Sequence, residues 1–191
     1  MKFKAKYLSG AYFLMLIVIF VLPYFSDQNY SIIKHTTSEL GAQNTPNSWI
    51  MNLTFIILGS ASILDGWKFL KAYKFHKFVL TFFGISLILS ALYKHAPIDA
   101  TINYNIKEDD LHSLFSSITG FLFTLFAIST SFILEKRKDK LIAVLIGISA
   151  TLLSVLIFNV SGFAGIWQRL IFISAFGWMI YLLNTKLKPI T

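Results

Sequence analysis

Residues 136–158 read KRKDKLIAVLIGISATLLSVLIF, and the fold can be predicted from this pattern. Positions 141–158 contain no charged side chain, and an uncharged, mostly apolar run of that length is typical of a helix that crosses a lipid bilayer. The run follows directly on a cluster of Lys and Arg residues. Because Lys and Arg are enriched in cytoplasmic loops, the cluster also indicates which end of the helix faces the cytoplasm.

The rest of the chain repeats this pattern of long apolar runs. They predict six membrane-spanning helices, at residues 7–25, 49–70, 78–93, 111–134, 141–158 and 164–183. The runs lack the alternation that marks barrel strands. The composition agrees, since 14% of the residues are charged and soluble domains carry about a quarter. We therefore predict an all-α, polytopic membrane protein in which residues 1–191 form one six-helix bundle.

The charges between the predicted helices alternate in sign along the chain. Thirteen of the seventeen Lys and Arg residues fall on one side of the bundle: Lys2, Lys4, Lys6, Lys68, Lys71, Lys74, Lys77, Lys136, Arg137, Lys138, Lys140, Lys186 and Lys188. This asymmetry predicts cytoplasmic termini and a place in the plasma (inner) membrane. The net charge of +8 then indicates orientation and attraction to the lipid bilayer rather than nucleic-acid binding.

The first apolar run follows a basic start, as in a secretory signal peptide. No small-residue cleavage site follows Phe25, so we expect this run to be retained as a helix. The chain has no cysteine, which excludes disulfides and thiolate metal ligands.

Most polar residues with possible chemistry fall on the other side of the predicted bundle. The first connection there, residues 26–48, is the longest, and residues 31–42 are expected to form a short interfacial helix ended by Gly41. Asn47 or Ser48 is expected to cap the second span. The connection is compatible both with a lid over the bundle and with a solvated linker.

Arg169 is the most informative single residue, because it follows the predicted start of the last span by only five positions. A charge at membrane depth is costly unless it is paired or reaches water. We expect Arg169 to point inward toward a carboxylate, either Glu39, Asp99, Asp109 or Asp110. A set of residues for binding an anion or substrate then comprises Arg169, Gln168, Glu39, Ser38 and Asn52.

Two histidines flank the second polar connection. A divalent metal such as zinc has His95, Asp99 and His112 as candidate ligands. His112 and Ser116 lie four residues apart on one helix face, and with Asp110 they are candidate catalytic residues, a base beside a hydroxyl. The same residues are compatible with a hydrogen-bonded structural cluster and with a proton or anion site.

Two further polar residues fall on the lysine-rich side. Asp65 is expected to form a local ion pair with Lys68, three residues later. His76 lies among lysines and is expected to be solvated.

Several motifs resemble a bacterial six-span family called domain of unknown function 998. They are Ser38-Glu39-Leu40-Gly41, the run from Thr45 to Asn52 with Phe55 and Gly59, Pro97 and Asp99, Asp109, Asp110 and His112, and Gly165, Gln168 and Arg169. The resemblance implies a six-helix membrane fold and no established activity. A fainter similarity to alkaline ceramidases and progestin receptors implies a zinc-dependent hydrolase, but no histidine follows His112 here.

Three functions follow from these residues. The first is a membrane protein that binds a small polar molecule or a lipid head group through Arg169 and carboxylates. The second is a metal- or His-dependent hydrolase that acts on a lipid in the outer leaflet. The third is a non-catalytic scaffold in which the polar cluster only holds helices together.

Overall fold

Six long helices form where the apolar runs predict them. The computed structural model describes residues 5–187, without the side chain of Lys186, and Lys2, Lys4 and Lys188 of the charge pattern lie outside the described residues. The helices are α1 (Lys6–Val21), α2 (Ser48–Phe69), α3 (Lys74–Leu92), α4 (Ile106–Thr130), α5 (Arg137–Asn159) and α6 (Ala164–Tyr181). Each helix, with its flanking turns, is long and apolar enough to cross a membrane. The predicted all-α bundle is confirmed, and the protein is multi-pass.

Helix α4 begins five residues earlier than the hydropathy predicts. The Asn105 side chain accepts hydrogen bonds from the N–H groups of Lys107 and Glu108, at 3.0 and 3.4 Å. Asn is a favoured cap, and acidic residues in the first turn, here Glu108 and Asp109, stabilise the positive end of the helix dipole. Polar capping chemistry therefore extends this helix beyond its apolar part.

Helix α6 contributes several aromatic side chains to the core. Each helix packs against the next one in sequence, and α6 also packs against α1. Aromatic side chains of α6 meet rings from three other helices, in the pairs Phe55–Phe172, Phe83–Phe176 and Phe123–Trp178. Helices α2 and α3 approach closely at Gly59 and Gly84, where a Cβ on either residue would crowd the other's carbonyl oxygen.

The two ends of the bundle differ in their connections. We call the end that holds residues 70–73 and 131–136 the basic end, and the end that holds residues 22–47, 93–105 and 160–163 the acidic end. The sequence predictions at the basic end need correction. Asp65 is 1% exposed, and its Oδ2 accepts the N–H of Leu8 at 2.8 Å. It therefore caps the start of α1, and residues 5–187 show no ion pair between it and Lys68.

His76 is also buried rather than solvated. It is 7% exposed, and its ring lies against those of Tyr73, Phe75 and Phe126. The lysines around it in sequence point away, because the aromatic contacts place His76 on the core face of the first turn of α3.

Residues 26–47, which we call the cap segment, contain turns and a short 3-10 turn at Glu39–Gly41 instead of the predicted helix. The carbonyls of Ile32, Ile33 and His35 accept hydrogen bonds from α6, which interrupts any helical ladder in this segment. Asn47 does not cap α2 through its side chain. It adopts a left-handed conformation with φ 57°, and its Nδ2 donates to the carbonyl of Phe25 at 2.7 Å.

Candidate functional site

The buried guanidinium of Arg169 joins α6 to the end of α1. Pro23 has no N–H and cannot donate to the carbonyl of Ile19 four residues earlier. The Nε and Nη2 of Arg169 donate to that carbonyl instead, at 3.3 and 3.2 Å. Arg169, which is 4% exposed, thus satisfies an acceptor that the proline leaves free.

The remaining donors of Arg169 hold the cap segment. Nη1 donates to the carbonyls of Ile32 (2.9 Å), His35 (3.2 Å) and Gly165 (3.0 Å), and Nη2 donates to the Tyr30 hydroxyl at 2.7 Å. A guanidinium has five N–H groups, and every nitrogen here is bonded to protein acceptors. No donor is therefore left over for an external anion in this arrangement.

Arg169 points inward as predicted, but its predicted carboxylate partner is wrong. Within residues 5–187, no carboxylate forms an ion pair with this guanidinium. Backbone carbonyls and a phenol take that role. The four residues proposed as partners lie elsewhere at the acidic end: Glu39, Asp99, Asp109 and Asp110.

Tyr30 connects Arg169 to the next turn of the cap segment. Its hydroxyl accepts from Arg169 and faces the carbonyls of His35 and Thr36 at 3.0 and 2.8 Å. Burial raises the pKa of Tyr30 to about 12, although the nearby positive charge of Arg169 opposes the shift. The phenol therefore stays protonated and remains a donor.

Gln168 and Gly165 form a second contact between α6 and the cap segment. The Gln168 carbonyl oxygen accepts the N–H and the hydroxyl of Thr37, both at 2.6 Å, and the N–H of Ser38 at 3.3 Å. The N–H of Gly165 donates to the carbonyl of Ile33 at 3.0 Å. A Cβ at Gly165 would overlap backbone oxygens of the cap segment, so this close approach requires glycine.

The other residues of the predicted anion-binding set also bond within the cap segment. The Asn52 amide donates to the carbonyl of Gly41 at 2.9 Å. Glu39 accepts the N–H and hydroxyl of Thr36, at 2.5 and 2.9 Å. Ser38 faces the Gln168 amide at 3.5 Å. The structure thus gathers the five predicted residues, but around the cap segment rather than around an open pocket.

Gln43 links the cap segment to the connection between α3 and α4. Its amide donates to the carbonyls of Lys94 and Asn105 at 2.9 and 3.0 Å, and its carbonyl accepts the Asn105 N–H at 2.8 Å. The Gln43 N–H donates to the carbonyl of His95. Gln43 is one of the polar residues that the sequence places in the first connection, whereas Tyr30 is uncharged and carries no such signal.

His112 lies beneath this connection, with its ring fixed by the end of α3. Its Nδ1 is 2.6 Å from the carbonyl of Ser90 and 3.0 Å from that of Tyr93. The last carbonyls of a helix have no partner within the helix. Because both neighbours are acceptors, Nδ1 carries a hydrogen, and in the neutral ring Nε2 is an acceptor.

Ser116 is the partner of that second nitrogen. Its Oγ lies 3.2 Å from Nε2 of His112, one turn further along α4. His112 is 4% exposed, whereas Ser116 is half-buried. The predicted pairing of these two residues is confirmed, with backbone carbonyls orienting the imidazole.

The acidic neighbour of this pair is Asp109 rather than the predicted Asp110, whose side chain is exposed. The His95 ring stands edge-on to that of His112, with centroids 5.2 Å apart. Nδ1 of His95 is 3.8 Å from Asp109. Asp109 also accepts the N–H of Ala96 at 2.7 Å.

The predicted metal ligands do not assemble. Asp99 bonds to Thr101 in its own turn, through the hydroxyl at 2.7 Å and the N–H at 2.8 Å, and these hydrogen bonds lower its pKa. Among residues 5–187, the carboxylate that lies near His95 is that of Asp109 and not that of Asp99. Within residues 5–187, no group of three His, Asp or Glu side chains is placed to hold a metal ion.

The comparisons with known proteins give a family. The model of the family described as "Protein of unknown function (DUF998)" matches residues 10–184. The chain belongs to the DUF998 family. No curated protein and no solved structure matches it.

Some of the residues by which the sequence resembles the DUF998 family bind the cap segment, and others lie at the start of α4 around His112. Gly165, Gln168 and Arg169 bind the cap segment from α6. Asn52 binds it at Gly41 from α2. The first turns of α4 contain Asp109, Asp110 and then His112, which is hydrogen-bonded to Ser116. In this DUF998 protein, the hydrogen-bond donors of Arg169 are all used inside the protein. His112, in contrast, keeps a basic nitrogen beside the hydroxyl of Ser116.

Proposed function

We propose that the acidic end carries a serine–histidine site that hydrolyses an ester. The observation that supports it is the 3.2 Å contact between Ser116 Oγ and His112 Nε2, with Nδ1 fixed by two carbonyls. A hydroxyl becomes a useful nucleophile when an adjacent base accepts its proton and a third group orients that base. Two backbone carbonyls take the orienting role here.

The proposed reaction has two steps. The Ser116 hydroxyl proton passes to Nε2 of His112 while Oγ bonds to the ester carbonyl carbon. The bond from that carbon to the alkoxy oxygen breaks, and His112 gives the proton to the departing alcohol. A water molecule, deprotonated by the same nitrogen, then cleaves the acyl–Ser116 bond, which releases a carboxylic acid and restores the hydroxyl.

The proposal includes an orientation for the protein. With the basic loops in the cytoplasm, the site faces the opposite side of a plasma membrane. Because the natural chain has no cysteine, Asp99→Cys and Lys71→Cys each give a single thiol. A membrane-impermeant maleimide applied to intact cells is expected to label Asp99→Cys only. Labelling of Lys71→Cys alone would show that the protein has the opposite orientation, with the basic loops outside the cell.

Labelling of the purified full chain with a fluorophosphonate tests the chemistry. The expected result is an adduct on Ser116, located by mass spectrometry and absent in Ser116→Ala. His112→Gln keeps an amide that can donate to the carbonyls of α3 but offers no base, so labelling should slow by about 100-fold or more. Ser117→Ala, a change at the next residue, should label as the natural protein does. An unlabelled Ser116, or an undiminished rate in His112→Gln, would refute the proposal.

A second candidate function is binding of a lipid head group or small polar molecule without catalysis. It is favoured by His95 and Asp109, whose side chains are 33% and 26% exposed and so accessible from the aqueous side. Under this alternative, the fluorophosphonate does not label Ser116. Addition of phosphocholine shifts the NMR signals of His95 in the natural protein and leaves them unchanged in the Asp109→Ala variant.

A further inference from the structure

The surroundings of Ser116 suggest how a substrate would reach it. We infer that the substrate is a lipid ester dissolved in the membrane leaflet at the acidic end, and that it enters sideways between α4 and α5. This inference rests on the proposed function of Ser116 and His112, and it adds a substrate class and a route.

Helices α4 and α5 are in close contact at Thr124 and Thr151 and from there toward the basic end. The hydroxyls of Thr124 and Thr151 are 3.1 Å apart. Further toward the basic end, a Cβ at Gly147 would crowd Ile128 and contact Ala127. The pair of helices is thus tightly joined from the two threonines to the basic end.

From the two threonines to the acidic end, the facing surfaces separate. Ser113, Ser117 and Gly120 share the α4 face that holds Thr124, since they are spaced by three or four residues. All three are exposed, and a Cβ at Gly120 would meet nothing within 4 Å. On α5, Phe158 is 82% exposed. A gap therefore opens between the helices at the level of the candidate site.

Ser116 lies at the margin of this gap. Its position on α4 falls between the buried His112 and the exposed residues Ser113 and Ser117, which agrees with its half-buried state. The distance along the helix from Ser116 to Thr124 is about 12 Å at about 1.5 Å per residue. That length of gap, with the exposed aromatic Phe158 of α5 at its acidic end, suits a hydrocarbon chain.

The route from the aqueous side is obstructed. The His95 ring lies edge-on against the ring of His112. Gln43 forms hydrogen bonds between the cap segment and the connection that contains His95. A water-soluble ester would have to displace these contacts. An amphiphile in the leaflet would bring its ester group to Ser116 while its chain stays in the gap.

Two glycine substitutions test the route. Gly120→Leu places a side chain in the gap, and Gly10→Leu places the same side chain in open space on α1. Both residues are exposed, so neither change should disturb packing. The measurement is the rate of Ser116 labelling in liposomes by a long-chain fluorophosphonate that partitions into the membrane. Thermal unfolding confirms that both variants fold.

We expect Gly120→Leu to slow labelling by the long-chain probe by about tenfold or more, and Gly10→Leu to leave the rate unchanged. A short, water-soluble fluorophosphonate should react more slowly than the long-chain probe with the natural protein. Equal rates for the two glycine variants, or faster reaction of the soluble probe, would overturn the route. If neither probe labels Ser116, the proposed hydrolase function itself fails.

Discussion

The cap segment and the start of α4 lie at the same end of the bundle, yet their polar side chains differ in what remains free to react. Each nitrogen of Arg169 is bonded to a protein acceptor. Nδ1 of His112 likewise bonds to backbone carbonyls. Its Nε2 faces the Ser116 hydroxyl, which can transfer its proton to that nitrogen. The difference separates groups that hold the fold from groups that can perform chemistry. Burial and polarity alone do not distinguish them.

The largest expected effect is on the structural side of this comparison. Arg169→Ala leaves the carbonyls of Ile19 and Ile32 without donors inside the bundle. Each unsatisfied buried acceptor costs about 1–3 kcal/mol, so we expect a loss of about 3–5 kcal/mol in unfolding free energy. Denaturation in detergent measures the loss, and limited proteolysis within residues 26–47 reports release of the cap segment.

Lys34→Ala is the matched control for Arg169. Lys34 is an exposed cation in the cap segment itself, and its removal should change stability by no more than about 0.5 kcal/mol. If both variants were equally stable, the carbonyl contacts of Arg169 would not hold the cap segment. The guanidinium would then be available to an external anion, as the sequence analysis expected.

Two glycines at the start of α6 differ in how closely the cap segment approaches them. Gly165→Ala would force the backbone oxygens of Ile32 and His35 away from α6, at a cost of about 1–3 kcal/mol. Gly162→Ala, three residues earlier, meets open space and should cost no more than about 0.5 kcal/mol. Thermal unfolding in one detergent compares the two. A tolerated Gly165→Ala would mean that the cap segment is not closely docked.

The sequence was sufficient to predict the helices and the inward direction of Arg169, because hydropathy and the cost of a buried charge act on single segments. It was insufficient to identify the partners of Arg169, because backbone carbonyls leave no mark in residue types. One signal was present in the sequence: Pro23 implies a free carbonyl at Ile19, which needs a donor from elsewhere.

The errors at His76, Asp65 and Asp110 have one physical cause. Each was assigned from its neighbours along the chain, whereas packing decided its surroundings. His76 contacts Phe126 of α4, and Asp65 caps α1. On α4, Asp109 rather than Asp110 points toward His95 because a helix turns by about 100° per residue. Neighbouring carboxylates on a helix therefore point in different directions.

On the chemical side, the expected loss of stability is smaller than for Arg169→Ala or Gly165→Ala. Ser116→Ala removes one neutral hydrogen bond at a half-buried position, which is worth about 1 kcal/mol or less, since the Nδ1 contacts still hold the imidazole. Thermal unfolding should therefore hardly distinguish Ser116→Ala from Ser117→Ala, although only the first loses fluorophosphonate labelling. A large loss of stability in Ser116→Ala alone would place this pair with Arg169 among the structural contacts. The contrast between the two regions would then disappear.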